Sequence, residues 1–252
     1  VNEDDATVDF AESTIQQAAG DVVFISADLE DTSEAYIQFG SEDSDFVDIL
    51  YVEDDDDDDN VEFYVNTRMI GTDVDNDRVV YSEDDLVESY IAQGQSFDQD
   101  ELAPPVFIDG DDVDSDDPFN PSDGTSFQGY LEELDTLDAT DEDPKDQLIR
   151  PIQPTDYDLA ATSTNVFYAD SGESSLEDED GFATVDLRPP SLGETNVWVG
   201  PEENADEYDT IQALVEESPL TQSENVALDD KLVVQIEASG LYGHMVDIEG
   251  SF

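Results

Sequence analysis

The chain has 252 residues, of which 70 are aspartate or glutamate and only 6 are lysine or arginine, so its net charge is −64. So few basic residues exclude direct binding to nucleic acid, because lysine and arginine neutralise the phosphates. The lack of cysteine excludes disulfides and thiolate metal sites, and no stretch approaches the roughly 18 apolar residues of a membrane-spanning helix.

Such a charge opposes folding in dilute buffer and is typical of disordered chains. However, the 10 tyrosines, 12 phenylalanines and one tryptophan lie in regular strand-like patterns, which favour a folded protein. The Debye length falls from about 10 Å at 0.1 M salt to about 3 Å at 1 M, so carboxylates hardly repel one another in brine. The composition therefore predicts adaptation to high salt; a nucleic-acid mimic and an acidic polymer-like tail are the alternatives.

In the first third of the chain, alternating apolar residues predict an antiparallel β protein. The clearest pattern is at residues 46–66, where two apolar stretches flank six consecutive aspartates at 54–59. It predicts a β-hairpin with Val47, Ile49 and Tyr51 facing a core and Asp48 on the opposite face. Other predicted strands before residue 82 are residues 7–10, 14–17, 21–29, 35–39 and 79–81.

The sequence pattern is different in the middle of the chain. Residues 82–90 are compatible with a short helix capped by Ser82. Residues 93–154 contain many prolines and acidic residues, and we interpret them as a loop-rich insertion that closes back on the sandwich. Within this insertion, strand patterns remain only at residues 106–108 and 127–131.

In the last third, Tyr157 follows a turn and resembles the tyrosine corner of immunoglobulin-like sandwiches, although it is equally compatible with an ordinary core tyrosine. The clearest helix is predicted at residues 206–217, where Ile211, Leu214 and Val215 share one face. Gly240 and Gly243 are expected to loosen the end of the chain. The predicted strands are residues 166–168, 182–187, 196–199 and 228–238.

Together these patterns predict a mainly all-β fold, with immunoglobulin-like antiparallel β-sandwich domains and one short helix. We expect two domains. Residues 1–160 would form a β-sandwich that carries the insertion at 93–154, and residues 161–252 would form a smaller β-rich domain that contains the helix.

Signals for catalysis are poor. The single histidine, His244, lies near the end of the chain, and no nucleophile-elbow or phosphate-binding motif is present. With 70 carboxylates, any acid–base pair can be chosen, so such pairs carry no information. We expect no catalytic residues, no required cofactor and no enzymatic activity.

Divalent metal binding is the stronger chemical candidate. Two stretches have the pattern D-x-D-x-D, which offers alternate oxygen ligands to Ca²⁺ or Mg²⁺. Neither stretch continues as an EF-hand, and diffuse hydration or cation clustering is the alternative. The loop at residues 54–59 is interpreted first as a solvated loop and second as a cation-bridged contact. The candidate ligands are Asp73, Asp75 and Asp77 in one stretch and Asp112, Asp114 and Asp116 in the other.

Three segments resemble recurring motifs of haloarchaeal cell-surface and S-layer-type glycoproteins. They are ATVDFAESTIQQAAGDVVFISADLEDTSEAYIQFGSED at residues 6–43, PTDYDLAATS at 154–163 and LTQSENVALDDKLVVQIEASGLYG at 220–243. The resemblance implies immunoglobulin-like domains that are secreted, face brine and serve in the cell envelope or in adhesion. It implies no catalytic residues. This chain differs from the family in lacking any usable N-x-S/T glycosylation sequon, since proline blocks the stretch Asn120-Pro121-Ser122.

The expected function is a structural domain at the extracellular cell surface. It would associate with itself or with other envelope proteins through acidic surfaces that cations screen. The alternative is a cation-dependent adhesin or glycan-binding module that uses loops such as residues 109–117. An envelope hydrolase is a weaker third candidate, and direct membrane insertion within this chain is not expected.

Overall fold

The structure is a computed structural model, and it describes residues 6–97, 103–109, 126–137, 143–148, 151–200, 214, 220–223 and 225–249. The strands are β1 (Thr7–Phe10), β2 (Thr14–Ala18), β3 (Val22–Glu30), β4 (Glu34–Phe39), β5 (Asp48–Glu53), β6 (Asn60–Asn66), β7 (Val80–Tyr81), β8 (Leu86–Ser89), β9 (Val106–Asp109), β10 (Asp156–Thr162), β11 (Val166–Asp170), β12 (Glu173–Leu176), β13 (Glu179–Arg188), β14 (Leu192–Gly200), β15 (Thr221–Gln222) and β16 (Lys231–Ala238). The helices are α1 (Ser126–Glu133) and α2 (Tyr242–Glu249), with 3₁₀ turns at Glu42–Ser44, Asn76–Arg78 and Pro144–Gln147.

The chain divides into two compact units. The first comprises Val1–Pro190 together with Gly240–Phe252, and the second comprises Ser191–Ser239. The structure thus places the division later than the predicted boundary between residues 160 and 161. That boundary falls inside β10, which pairs with β4 on one side and β13 on the other within a single sheet.

The first unit contains three sheets: a three-stranded sheet with the order β12-β11-β9, and two larger sheets that form the sandwich. One of the larger sheets has the strand order β1-β3-β6-β7, and the other has the order β2-β13-β10-β4-β5-β8. Alternate residues of β3, including Val23 and Ile25, are buried in one hydrophobic core with Phe63 of β6 and Leu159 of β10. The predicted all-β sandwich is confirmed, because residues from the strands of both sheets share this core.

The predicted hairpin at residues 46–66 is wrong. Its strands exist as β5 and β6, but they belong to different sheets: β5 pairs with β4 and β8, whereas β6 pairs with β3 and β7. The six aspartates therefore cross from one sheet to the other. Alternation of apolar residues specifies which side of a strand is buried, but not which strand lies beside it.

The segment at residues 93–154 contributes a second apolar layer. Tyr51 of β5 packs against Phe97 with a ring-centroid distance of 5.5 Å, and Phe107 of β9 packs against Tyr130 of α1 at 4.9 Å. The hydroxyl of Tyr130 also donates a hydrogen bond of 2.6 Å to Oε1 of the buried Gln38. The described part of the predicted insertion thus packs on the sandwich, as expected.

Two expectations about this part of the core are wrong. Residues 127–131 were expected to form a strand but lie in α1, because Phe127, Tyr130 and Leu131 recur at helical spacing and are all buried. Asp48 was expected on a face away from the core, but it is fully buried. Every residue of β5 from Asp48 to Val52 is buried, which requires that both faces of the strand are covered.

Two further expectations about local structure are also corrected. The short helix expected at residues 82–90 is instead a turn followed by β8, whose residues pair with β5. Gly243 does not loosen the chain but lies in α2, where its N–H donates to the carbonyl of Gly20 at 3.0 Å. A side chain at this position would collide with Asn66. Of the helix predicted at residues 206–217, only Leu214 lies among the described residues.

The second unit contains a three-stranded sheet with the order β15-β14-β16. Its strands β14 and β16 are antiparallel, with Val197 opposite Val234 and Val199 opposite Leu232. Apolar residues alternate along β16 as predicted, although Leu232, Val234 and Ile236 are each about half exposed.

Candidate functional site

The loop at residues 54–59 is organised by its first aspartate. Asp54 is only 7% exposed, and its carboxylate accepts hydrogen bonds from the backbone N–H groups of Asp58 at 3.3 Å and Asp59 at 2.9 Å. The backbone takes the left-handed conformation at Asp57 and Asp59, which aspartate tolerates better than most residues. The run of aspartates thus forms a defined turn whose interior carboxylate caps its own backbone.

This turn brings alternate carboxylates together. Oxygen atoms of Asp54, Asp56 and Asp58 all lie within 4.8 Å of one another, with Asp54 buried and the other two exposed. Desolvation, followed by the neighbouring charges of Asp58 and Asp85, raises the pKa of Asp56 above its ordinary value. Oxygen ligands at this spacing suit a hard cation such as Ca²⁺ or Mg²⁺.

A cavity of about 210 Å³ lies beside the cluster. It is lined by polar and acidic residues and by one aromatic ring, that of Tyr64, and no basic residue lines it. Asp85 forms part of its wall and accepts hydrogen bonds from the backbone N–H groups of Asp55 and Glu62 at 3.4 and 3.3 Å. The acidic lining consists of Asp56, Asp58, Glu62, Glu83, Asp84 and Asp85.

The three predicted ligands Asp73, Asp75 and Asp77 are not gathered in this way. Asp73 forms an ion pair with Lys145 at 2.6 Å, and this hydrogen bond lowers the pKa of Asp73. Asp75 precedes the 3₁₀ turn that contains Asp77, and its carbonyl accepts the N–H of Arg78 at 3.0 Å. The structure thus assigns these aspartates an ion pair and a turn.

The other predicted ligands, Asp112, Asp114 and Asp116, lie outside the described residues. So does most of the segment 109–117 that the glycan-binding alternative invoked, apart from Asp109. Asp54, Asp56 and Asp58 were not among the predicted ligands. The sequence contains their D-x-D-x-D spacing, but six adjacent aspartates contain this spacing twice. The conformation of the turn determines that the carboxylates of Asp54, Asp56 and Asp58 come together.

His244, the single histidine, lies exposed in α2. Among the described residues, no helix has the length and apolar character needed to cross a membrane. The geometry therefore defines an acidic β-sandwich with a carboxylate cluster at one inter-sheet loop.

Comparison with known proteins finds similarity to cell surface glycoproteins. The sequence profile of a domain of unknown function, DUF7827, matches residues 1–115. Cell surface glycoprotein 2 of Haloarcula hispanica is 28% identical over 241 residues, which cover 93% of this chain and 20% of the relative. Cell surface glycoprotein 1 of the same organism is 26% identical over 247 residues, covering 95% of this chain and 21% of the relative. No solved structure matches the chain.

The resemblance predicted from sequence is therefore confirmed, because the chain is similar over most of its length to two cell surface glycoproteins of a haloarchaeon. The same relatives confirm the predicted location at the cell surface. The chain spans about a fifth of the length of these curated relatives.

Proposed function

We propose that this chain is a structural domain of the haloarchaeal cell envelope, of the S-layer type, which associates with itself or with other envelope proteins through cation-screened acidic surfaces. The observation that carries the proposal is the carboxylate cluster of Asp54, Asp56 and Asp58 on an acidic sandwich related to cell-surface glycoproteins. We infer no catalytic role, since the names of these relatives describe surface proteins.

The charge balance supports a role for solvent cations. Only 6 basic residues accompany 70 acidic ones, so protein groups neutralise a small part of the charge. Arg188 with Asp186 at 3.2 Å and Lys145 with Asp73 are examples of such local pairs. Two unit charges 4 Å apart repel by about 1 kcal/mol in water, so screening by salt is required before acidic surfaces approach.

The loop geometry supports a bridging role for divalent cations. Asp56 and Asp58 are exposed, so their oxygens are available both to a cation and to groups of a neighbouring molecule. Ca²⁺ takes six to eight oxygen ligands, more than three carboxylates of one loop supply with one oxygen each. A second protein surface or water would complete the coordination, and calcium or magnesium would thereby join neighbouring domains.

Light scattering and sedimentation of the whole chain in molar KCl test this proposal, with CaCl₂ or MgCl₂ titrated in separate series. We expect the particle size to grow with the divalent cation, and the double substitution Asp56→Asn with Asp58→Asn to shift growth to higher cation concentrations. The matched control replaces Asp75 and Asp77, which are exposed but lie outside the cluster, and should behave as the unaltered chain. A monomer at every cation concentration, or equal responses of the two variants, would contradict the proposal.

A further inference from the structure

The strand β16 lies at one edge of the three-stranded sheet in the second unit. The described strands of this sheet have the order β15-β14-β16, so among them β16 pairs with β14 on one side only. An edge strand presents a row of N–H and C=O groups that can pair with the strand of another molecule. Proteins commonly prevent such pairing with proline or with charged side chains along the edge. The sequence of β16 is KLVVQIEA, which has no proline and no charge between its second and sixth residues.

Three apolar side chains on one side of β16 remain exposed. They are Leu232, Val234 and Ile236, with exposures of 53%, 50% and 56%. They share one side of the sheet because successive residues of a strand point to opposite sides. Val199 of β14, which lies opposite Leu232, is only 9% exposed. Apolar exposure on this side of the sheet thus increases from β14 to β16.

The charge of β16 differs from that of the chain as a whole. The chain carries on average one net negative charge in about four residues, whereas the eight residues of β16 contain one lysine and one glutamate and have no net charge. Two copies of this strand therefore approach each other without net repulsion between the strands. A second copy of the chain is accordingly a partner whose charge β16 matches.

We propose that two copies of this chain pair along β16 as antiparallel strands, related by a two-fold axis at Val234. A two-fold interface uses the same surface of both copies. In this register Val234 lies opposite the same residue of the second copy, and Leu232 of each copy lies opposite Ile236 of the other. Side chains that are directly opposite each other lie on the same side of the sheet with Cβ atoms about 4.5–5.5 Å apart. The exposed apolar side chains of the two copies therefore contact each other.

The charges near the ends of β16 favour this register. It places Lys231 of each copy opposite Glu237 of the other, so a pair of opposite charges lies on each side of the apolar centre. Lys231 already makes an interaction within its own copy, but its ammonium group has three donors and can serve a second carboxylate as well. An axis midway between Val234 and Gln235 would instead place Leu232 opposite Glu237.

This pairing rests on the self-association proposed above and identifies one surface that performs it. Main-chain hydrogen bonds and apolar contacts hold the two strands together, so the pairing requires no divalent cation. The carboxylate cluster at residues 54–59, in contrast, requires calcium or magnesium to join neighbouring molecules. Removal of divalent cations therefore separates the two contacts.

Sedimentation equilibrium of the whole chain in molar KCl with EDTA tests the pairing, and we expect a dimer. Val234→Lys places two like charges opposite each other at the axis, so it should weaken the dimer by about tenfold or more. The matched control is Leu228→Lys, which introduces the same charge at a 92% exposed position outside β16 and should leave the dimer unchanged. Circular dichroism confirms that each variant is folded.

Disulfide cross-linking tests the register, because the chain has no cysteine of its own. Val234→Cys should form a covalent dimer on mild oxidation, since the two cysteines lie directly opposite each other. Leu232→Cys should not cross-link to itself, because the two copies of this residue lie four positions apart along the strands, roughly 14 Å. A mixture of Leu232→Cys and Ile236→Cys should cross-link, and non-reducing electrophoresis measures all three reactions.

The pairing is overturned if the chain is a monomer in EDTA at every protein concentration. It is also overturned if Val234→Lys and Leu228→Lys have the same effect, or if Val234→Cys cross-links no faster than Leu232→Cys. A monomer in EDTA that grows when CaCl₂ is added would overturn the strand pairing and support the cation-bridged assembly. A dimer in EDTA that does not grow with CaCl₂ or MgCl₂ would support the pairing and contradict the cation-bridged assembly.

Discussion

The hydroxyl of Tyr157 donates a hydrogen bond to the carbonyl of Gln153 and accepts one from the N–H of the same residue, both at 2.9 Å. Tyr157 is the second residue of β10 and is only 2% exposed. The hydroxyl thus ties the chain entering the sheet to its central strand. Both predictions for this residue are confirmed, since the tyrosine corner is also part of the core.

Replacing Tyr157 with phenylalanine should lower the free energy of unfolding by about 1–3 kcal/mol, because the N–H and carbonyl of Gln153 lose their partner in a partly buried site. Urea unfolding in molar KCl measures the change. Tyr168→Phe is the control, since the hydroxyl of Tyr168 donates a long, exposed hydrogen bond of 3.5 Å to Oε1 of Glu177. Equal losses for the two variants would contradict the corner's structural role.

Stability should also depend on the ionisation of Asp48. Burial raises the pKa of Asp48 to about 7, although Ser89 and the N–H groups of Ile91 and Ile49 favour the charged form. In the unfolded chain the carboxyl has its ordinary pKa of about 3.8. Between these two values the folded state holds a proton that the unfolded state has lost, so this group makes stability fall as the pH rises from about 4 to about 7.

Asp48→Asn should remove that part of the pH dependence. The amide keeps an oxygen for the N–H groups of Ile49 and Ile91, and its nitrogen donates to Ser89 Oγ, as the protonated acid would. The advantage of the variant over the unaltered chain should therefore be clearly larger at pH 8 than at pH 5, because most of the fall in stability lies between these two pH values. Melting temperatures of both proteins at the two pH values test this prediction. If the melting temperatures of both proteins change equally with pH, the pH dependence does not come from Asp48.

Two substitutions in the acidic loop should have opposite effects at low salt. Asp56→Asn removes a charge that its neighbours repel, so it should raise the melting temperature, and the gain should vanish in molar KCl. Asp54→Ala removes the acceptor for two backbone N–H groups and should lower stability by about 1–2 kcal/mol at any salt concentration. If both substitutions raise the melting temperature at low salt, the hydrogen bonds that Asp54 accepts do not stabilise the loop, and its negative charge only destabilises it.

Features of the fold that depend on neighbouring residues were predictable from the sequence, whereas those that depend on distant segments were not. The position of β3 was predictable because alternation along residues 21–29 depends only on neighbours in the chain. The sheets to which β5 and β6 belong were not predictable, because their partners are β4 and β3, which lie earlier in the sequence. The burial of Asp48 was not predictable either, because its carboxylate is held by Ser89 and the N–H group of Ile91, which come from a distant part of the sequence.

The candidate site also combines a feature that the sequence shows with one that only the folded structure shows. The sequence showed that Asp54, Asp56 and Asp58 have ligand spacing, but convergence of their carboxylates depends on the turn that Asp54 caps. The pairing of Phe24 with Tyr64 across β3 and β6 likewise required the strand register, which is a product of the whole sheet.

The central claim is that this acidic sandwich is built for concentrated salt. The most direct test is the melting temperature of the whole chain, followed by far-ultraviolet circular dichroism, between about 0.1 M and about 3 M KCl. Since screening removes the repulsion among 70 acidic residues, the melting temperature should rise steeply with salt, and the β spectrum should be lost without added salt and return when salt is restored. A melting temperature that stays unchanged across this range would contradict the account.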